Sequence, residues 1–207
     1  MGRHFRRDAL ACPGRLEAKR CRPAAAASGN NLDTLLGFLG RREPTMFPYE
    51  DRYAYVISNS SDKVHYKGLT GDTVPSYSQI LDPANLTRLM NEVGHCSTIL
   101  ALGEHALTAL ELLASRGFRP TVISGGHPSM SNLNRNITHD IDGELIVKGS
   151  SGATRRRIEV LASRMGEHAK VWGMIRPRWR EPVLGCRGGE GERGGGATPR
   201  RSPVMVG

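Results

Sequence analysis

The segment Gly126-His127-Pro128-Ser129-Met130-Ser131-Asn132 sets one imidazole among hydroxyls and amides, just after the β-branched run Thr121-Val122-Ile123. Gly125 and Gly126 free the backbone where that run ends. Pro128 fixes φ, and the residue before a proline is driven out of the helical region, so His127 is expected on an extended corner. Asn134 and Arg135 continue the polar run. A loop of this kind can offer an imidazole and several hydrogen-bonding groups to an anionic or heteroaromatic ligand. Taken alone, Gly-Gly-His-Pro-Ser is also an ordinary turn. Its meaning depends on companions at other strand ends.

The elements that must supply those companions follow from periodicity. Leu32, Leu35, Leu36 and Leu39 recur at helical spacing, with Asn31 as N-cap, Asp33 in the first turn and Gly40 as the stop. Residues 53–57 read as a strand that runs out into Ser58-Asn59-Ser60-Ser61-Asp62. Residues 68–80 show no period and are expected to form a long loop. Asp82-Pro83 is a cap followed by a first-turn proline, and Leu86, Leu89, Met90 and Val93 form the apolar face behind it. Residues 98–102 are a second buried strand, turned by Gly103 into a helix over 104–116. Residues 121–123 are a third strand and 144–148 a short edge strand. A last helix covers 152–165, with Arg155, Arg156 and Arg157 at its start, where cations oppose the helix dipole and an anionic partner would be welcome.

Strands alternating with helices define an α/β fold. The expected form is a three-layer sandwich with a short, mainly parallel central sheet flanked by helices. Right-handed crossovers bring the strand C-ends to one edge, outside which ligands bind in open sheets. Asn59, Gly103 and His127 each lie at such an end.

The 207 residues carry a formal charge of +9. Residues 1–30 hold seven Lys/Arg against two Asp/Glu and residues 171–207 seven against three, while residues 31–170 hold fifteen of each. The basic excess therefore belongs to the ends, and the middle must recognise a ligand by placed groups rather than bulk field. Residues 1–30 are expected to be a disordered basic segment, 31–170 the folded domain, and 171–207 a disordered Gly/Arg/Pro-rich tail, both ends being dispensable for folding. No apolar stretch suits a membrane span or a signal peptide. Cys12, Cys21, Cys96 and Cys186 are too scattered for a zinc or iron–sulfur site, and reduced thiols in a cytoplasmic protein are expected.

Together these segments resemble the uracil-DNA glycosylase superfamily. Gly126-His127-Pro128-Ser129-Met130-Ser131 is similar to that family's second motif, a His-Pro-Ser loop after a core strand. Ile99-Leu100-Ala101-Leu102-Gly103-Glu104-His105-Ala106 resembles its middle segment. The family's first motif is a Gly-containing strand end with Asp or Asn followed by Pro. Here Ile57-Ser58-Asn59-Ser60-Ser61-Asp62 keeps an Asn but lacks the neighbouring Gly and Pro. The resemblance spans roughly residues 31–165.

The resemblance implies cleavage of an N-glycosidic bond in DNA that contains a damaged base, with no cofactor, no metal and no membrane, by a monomer in the cytosol or nucleoid. His127 would hydrogen-bond a base oxygen as negative charge develops, the kind of donor that supplies about 3 kcal/mol in oxyanion holes. Asn59 would hold the attacking water through its carbonyl oxygen, with Asp62 as a second candidate. Tyr66 or His65 would wall the flipped base. Ser129, Ser131 and Asn132 would grip flanking phosphates, with Asn134 and Arg135 in the same DNA-contacting run, and Met130 or Leu133 would wedge into the vacated stack. A non-catalytic nucleic-acid or nucleotide-binding module on the same sheet is the alternative, favoured by the altered first motif. A small-molecule α/β enzyme is a third.

Overall fold

A computed structural model describes residues 24–63, 74–174 and 204–206. In chain order these form helix α1 (Ala27–Arg42), a 3-10 turn (Arg52–Ala54), strand β1 (Val56–Ser58), a short helix α2 (Tyr77–Ile80) and helix α3 (Pro83–Val93). Strand β2 (Thr98–Leu102), helix α4 (Glu104–Ser115), strand β3 (Thr121–Gly125), a short helix α5 (Met130–Asn136), helix α6 (Ala153–Met174) and strand β4 (Val204–Val206) follow. The four strands make one parallel sheet in the order β1-β4-β2-β3.

The sheet is covered on both faces, so the expected three-layer α/β sandwich is what the chain forms. Side chains alternate across β2. Leu100 and Leu102 enter a core with α1, α5 and α6, whereas Ile99 and Ala101 enter a second core with α2, α3 and α4. On the first face Ile57, Met205, Leu100 and Ile123 stand in register across all four strands. Leu35, Leu36, Leu39, Leu100, Ile123 and Ile158 are fully buried there, and each such side chain contributes about 1.5–3 kcal/mol through removal from water. Strand backbones buried on both sides need unbroken aliphatic runs, and residues 98–102 meet that need.

Several local expectations need correction. Helix α1 starts at Ala27, earlier than the leucine period, and Asn31 lies inside it rather than capping it. Residues 53–57 divide between the 3-10 turn and β1, since the side chain of Asp51 accepts from Tyr53 N and closes a turn first. Two helical turns lie in stretches that lack a period. One is α2, where Ser76 and Gln79 form a capping box. The other is α5, capped by Ser129. Residues 144–148 make no strand; a single antiparallel bridge joins His139 and Leu145, and Leu145 and Val147 are exposed. By contrast α3 is capped as its sequence requires, with Asp82 accepting from Ala84 N and Asn85 N.

The largest correction concerns residues 171–207. Residues 171–174 end α6, and Val204–Val206 form the strand between β1 and β2. Met205 is buried at the centre of the first core. Removing this stretch would take out the strand that joins β1 to the rest of the sheet, so it is not dispensable. Arg155, Arg156 and Arg157 are absorbed structurally. Arg157 is buried and donates to Ile137 O and Ile146 O, Arg156 pairs with Asp140, and Arg155 lies over the Phe38 ring. No helix among the described residues is long and apolar enough to cross a membrane.

Met205→Ala is expected to destabilise the protein by about 2–5 kcal/mol, the range for emptying a buried large side chain. Urea unfolding checks this: the midpoint should fall with little change in slope.

Candidate functional site

The C-ends of β1, β2 and β3 open on one cavity of about 1110 Å³. Asn59, Gly103 and His127 all line it, so residues far apart in the chain meet at the sheet edge. Met205 of β4 forms part of its floor, and Arg135, Arg164 and Lys63 contribute to its wall.

The corner at His127 is built by a set of short-range demands on the backbone. Asn132 Nδ2 donates to His127 O at 2.8 Å, and Asn31 Nδ2 reaches from α1 to Pro128 O at 2.7 Å. Ser129 caps α5 through its side chain. Its backbone N donates to His127 Nδ1 at 3.2 Å. An Nδ1 that accepts from an amide carries no proton, so the ring proton sits on Nε2. Burial also pushes the His127 pKa below the ordinary histidine value. The two effects agree: the imidazole is neutral, and Nε2–H has no partner among the described residues.

Two glycines make the close approach possible. Gly103 has φ of 99°, and a Cβ there would lie 3.3 Å from His127 Cβ. Its N–H donates to Gly125 O at 2.7 Å, tying the end of β2 to the end of β3. At Gly126 a Cβ would come within 2.7 Å of Asn132 Nδ2, displacing the amide that holds His127 O.

The loop after β1 rests on a different polar frame. Ser58 Oγ donates to Glu92 Oε2 at 2.5 Å, and Arg88 bonds Glu92 at 2.7 Å and Asn59 O at 2.8 Å. Asn85 Nδ2 donates to both Ser60 O and Ile80 O at 2.8 Å. Ser58, Ser60 and Ser61 are buried as a result. Asn59, half-buried, is thereby carried to the cavity on a fixed backbone.

The remaining candidates separate. Asp62 is exposed and is not among the residues lining the cavity, so the geometry does not support it as the water-holding group. Leu133 is fully buried in the first core and cannot wedge into a base stack. Ser129 and Asn132 are committed to the loop itself, although both also line the cavity. Ser131 and Arg135 are exposed in the lining, and Asn134 is half-buried. Met130 is exposed beside Thr154, whose Oγ1 lies 3.6 Å from its Sδ. His65 and Tyr66 lie outside the described residues.

Sequence reasoning missed three features. Lys63 and Arg164 join Arg135, which was expected to contact DNA, in the cavity lining; none of the three takes an ion-pair partner among the described residues, so a domain of zero average charge has a locally positive cavity. Glu104 is the carboxylate among the described lining residues. Tyr77 OH donates to Glu104 Oε1 at 2.7 Å, a bond that raises the Tyr77 pKa, and the Tyr77 ring meets His105 edge-on with centroids 5.1 Å apart. The Gly103-Glu104-His105 strand end carried a signal for Glu104; Tyr77, Lys63 and Arg164 carried none. Among the described residues no cluster of His, Cys, Asp and Glu is placed to hold a metal ion. Comparison with protein-family models, curated proteins and solved structures finds no match to this chain.

Two outcomes follow from this geometry. Because the folded His127 pKa is lowered, the unfolded chain takes up a proton near pH 6.5 that the folded chain refuses. The stability this group contributes is present above about pH 6.5 and is lost as pH falls from there through the lower folded value. The stability gap between the wild type and His127→Gln should therefore shrink below about pH 6.5 in urea titrations. Gly103→Ala should cost about 1–3 kcal/mol for a backbone conformation that only glycine adopts readily and shift the His127 ring resonances in NMR spectra.

Proposed function

We propose that this protein is a DNA glycosylase that hydrolyses the N-glycosidic bond of a flipped-out damaged base, with uracil as the leading candidate, in base-excision repair. The observation that carries this reading is a neutral imidazole whose Nε2–H donor is uncommitted among the described residues, in the wall of a cavity that also takes in Asn59 and three cations with no ion-pair partner among those residues. A neutral donor suits this chemistry, since the departing base carries negative charge and needs a hydrogen bond that costs no reorganisation as the bond breaks. The cavity slightly exceeds the roughly 300–1,000 Å³ of small-molecule pockets. That leaves room for a nucleotide and its flanking phosphates. Lys63, Arg135 and Arg164 suit those phosphates, and their attraction would weaken with salt.

In this mechanism the base is drawn from the stack at a cost of a few kcal/mol, least for a mispaired base such as uracil opposite guanine. His127 Nε2–H binds the base oxygen on which charge accumulates. Asn59, on its braced loop, orients water at the sugar's far side. An amide is a poor base, so Asn59 positions the water and does not deprotonate it. A binding module without turnover remains the second reading, supported by the missing Gly and Pro around Asn59.

The test is a uracil-containing oligonucleotide incubated with the purified chain and then treated with alkali. Strand scission at uracil is expected, and His127→Ala should lower its rate about 100-fold or more while changing DNA affinity little. Retained binding with no scission at uracil, hypoxanthine or mismatched bases would favour the binding module and defeat the glycosylase reading. Equal losses of rate and affinity in His127→Ala would mean that the imidazole only builds the loop.

A further inference from the structure

We propose that Glu104 is a catalytic residue of this site, countering the positive charge that develops on the sugar and accepting a proton from the attacking water, with Tyr77 positioning its carboxylate. The proposal rests on the base-excision reading above. It answers a deficit in that reading. Breaking the N-glycosidic bond leaves an oxocarbenium-like sugar, and the cavity surrounds it with Lys63, Arg135 and Arg164. Those cations favour phosphates but oppose a cationic sugar. Asn59 is uncharged and Asp62 lies outside the lining, so among the described lining residues the negative charge comes from Glu104.

Its placement suits the role. Glu104 directly follows Gly103, the residue whose missing side chain lets the end of β2 approach His127. The carboxylate and the imidazole are thus set on adjoining strand ends of one cavity. The carboxylate is also held rather than loose. Tyr77 OH donates to Oε1 at 2.7 Å, and the Tyr77 ring is braced edge-on against His105. The helix that carries Tyr77 begins with the Ser76–Gln79 capping box, so the phenol comes from an ordered turn. Oε2 has no hydrogen-bond partner among the described residues and can face water. Glu104 is exposed, so its carboxylate meets solvent, to which a proton can be passed.

The step balances without any further reagent. The C1′–N bond breaks with its electron pair going to the base, whose oxygen is bound by His127 Nε2–H. The water oxygen forms the new C1′–O bond, and its proton passes to Glu104 Oε2. Glu104 then releases that proton to solvent, where the base anion is protonated.

Two substitutions separate this role from the mere opening of a helix. Glu104→Ala removes the carboxylate, and Glu104→Gln keeps its shape and its acceptor for Tyr77. Single-turnover rates on the uracil-containing oligonucleotide should fall about 100-fold or more in both, with affinity for the oligonucleotide kept. Added formate should restore part of the rate to Glu104→Ala but none to His127→Ala. Tyr77→Phe should show a smaller loss, in rate and not in affinity. Rates within about twofold of wild type in both Glu104 variants, or a loss in Glu104→Ala that tracks its circular-dichroism signal and ignores formate, would overturn the proposal and leave the base-excision reading standing. A wild-type chain that releases no base would overturn both.

Discussion

Two carboxamides hold the corner on which the site is built. His127 and Pro128 lie between β3 and α5, and their carbonyl oxygens take no backbone donor among the described residues. A partly buried carbonyl left without a donor costs about 1–3 kcal/mol. Asn132 and Asn31 supply the donors, one from the helix that follows the loop and one from the far helix α1. With the carbonyls fixed, the amide of Ser129 meets the His127 ring and sets which nitrogen carries the proton. Ring chemistry therefore depends on a side chain 97 positions before the Pro128 carbonyl that it holds.

The other half of the sheet edge is braced by charge as well as by the Asn85 amide. Arg88 and Glu92 lie one turn apart on α3 and reach Ser58 and the Asn59 carbonyl. Exposed pairs at this spacing contribute only a few tenths of a kcal/mol. Here the pair is partly buried and satisfies backbone and hydroxyl groups that strand pairing cannot. The cavity thus has two stiff rims with different physics. Its lining cations take no ion-pair partner among the described residues, which leaves their charge available to a ligand.

The legible parts of this chain are those where one residue type has one physical use. An aliphatic run of five between turn residues, as in residues 98–102, is a strand buried on both faces. Asp82 followed by Pro83 can hardly be other than a helix start. His127 was legible because Pro128 restricts it and the paired glycines precede it. Asn31 was misread because an amide beside a leucine period suits a cap as well as a long-range donor, and only the fold decides between them. Asp62 looked suitable by type, yet a shift of a few residues along the loop turns a side chain away from the cavity. Lys63 and Arg164 gave no local signal, since they converge with Arg135 only through the sheet. β4 was hidden because three residues in a Gly- and Arg-rich surrounding show no period, and the strand's partners lie more than a hundred positions away.

That strand has a consequence for how the protein is made. With β4 seated between β1 and β2, a ribosome-bound chain can dock β2, α4 and β3 early, because they are neighbours in sequence. It cannot join β1 to them until residue 206 has left the exit tunnel. Until then the facing edges of β1 and β2 carry unpaired backbone groups, and such edges invite pairing with other chains. Contacts of such long sequence separation slow folding, so the interval of greatest aggregation risk lasts until β4 has emerged and docked.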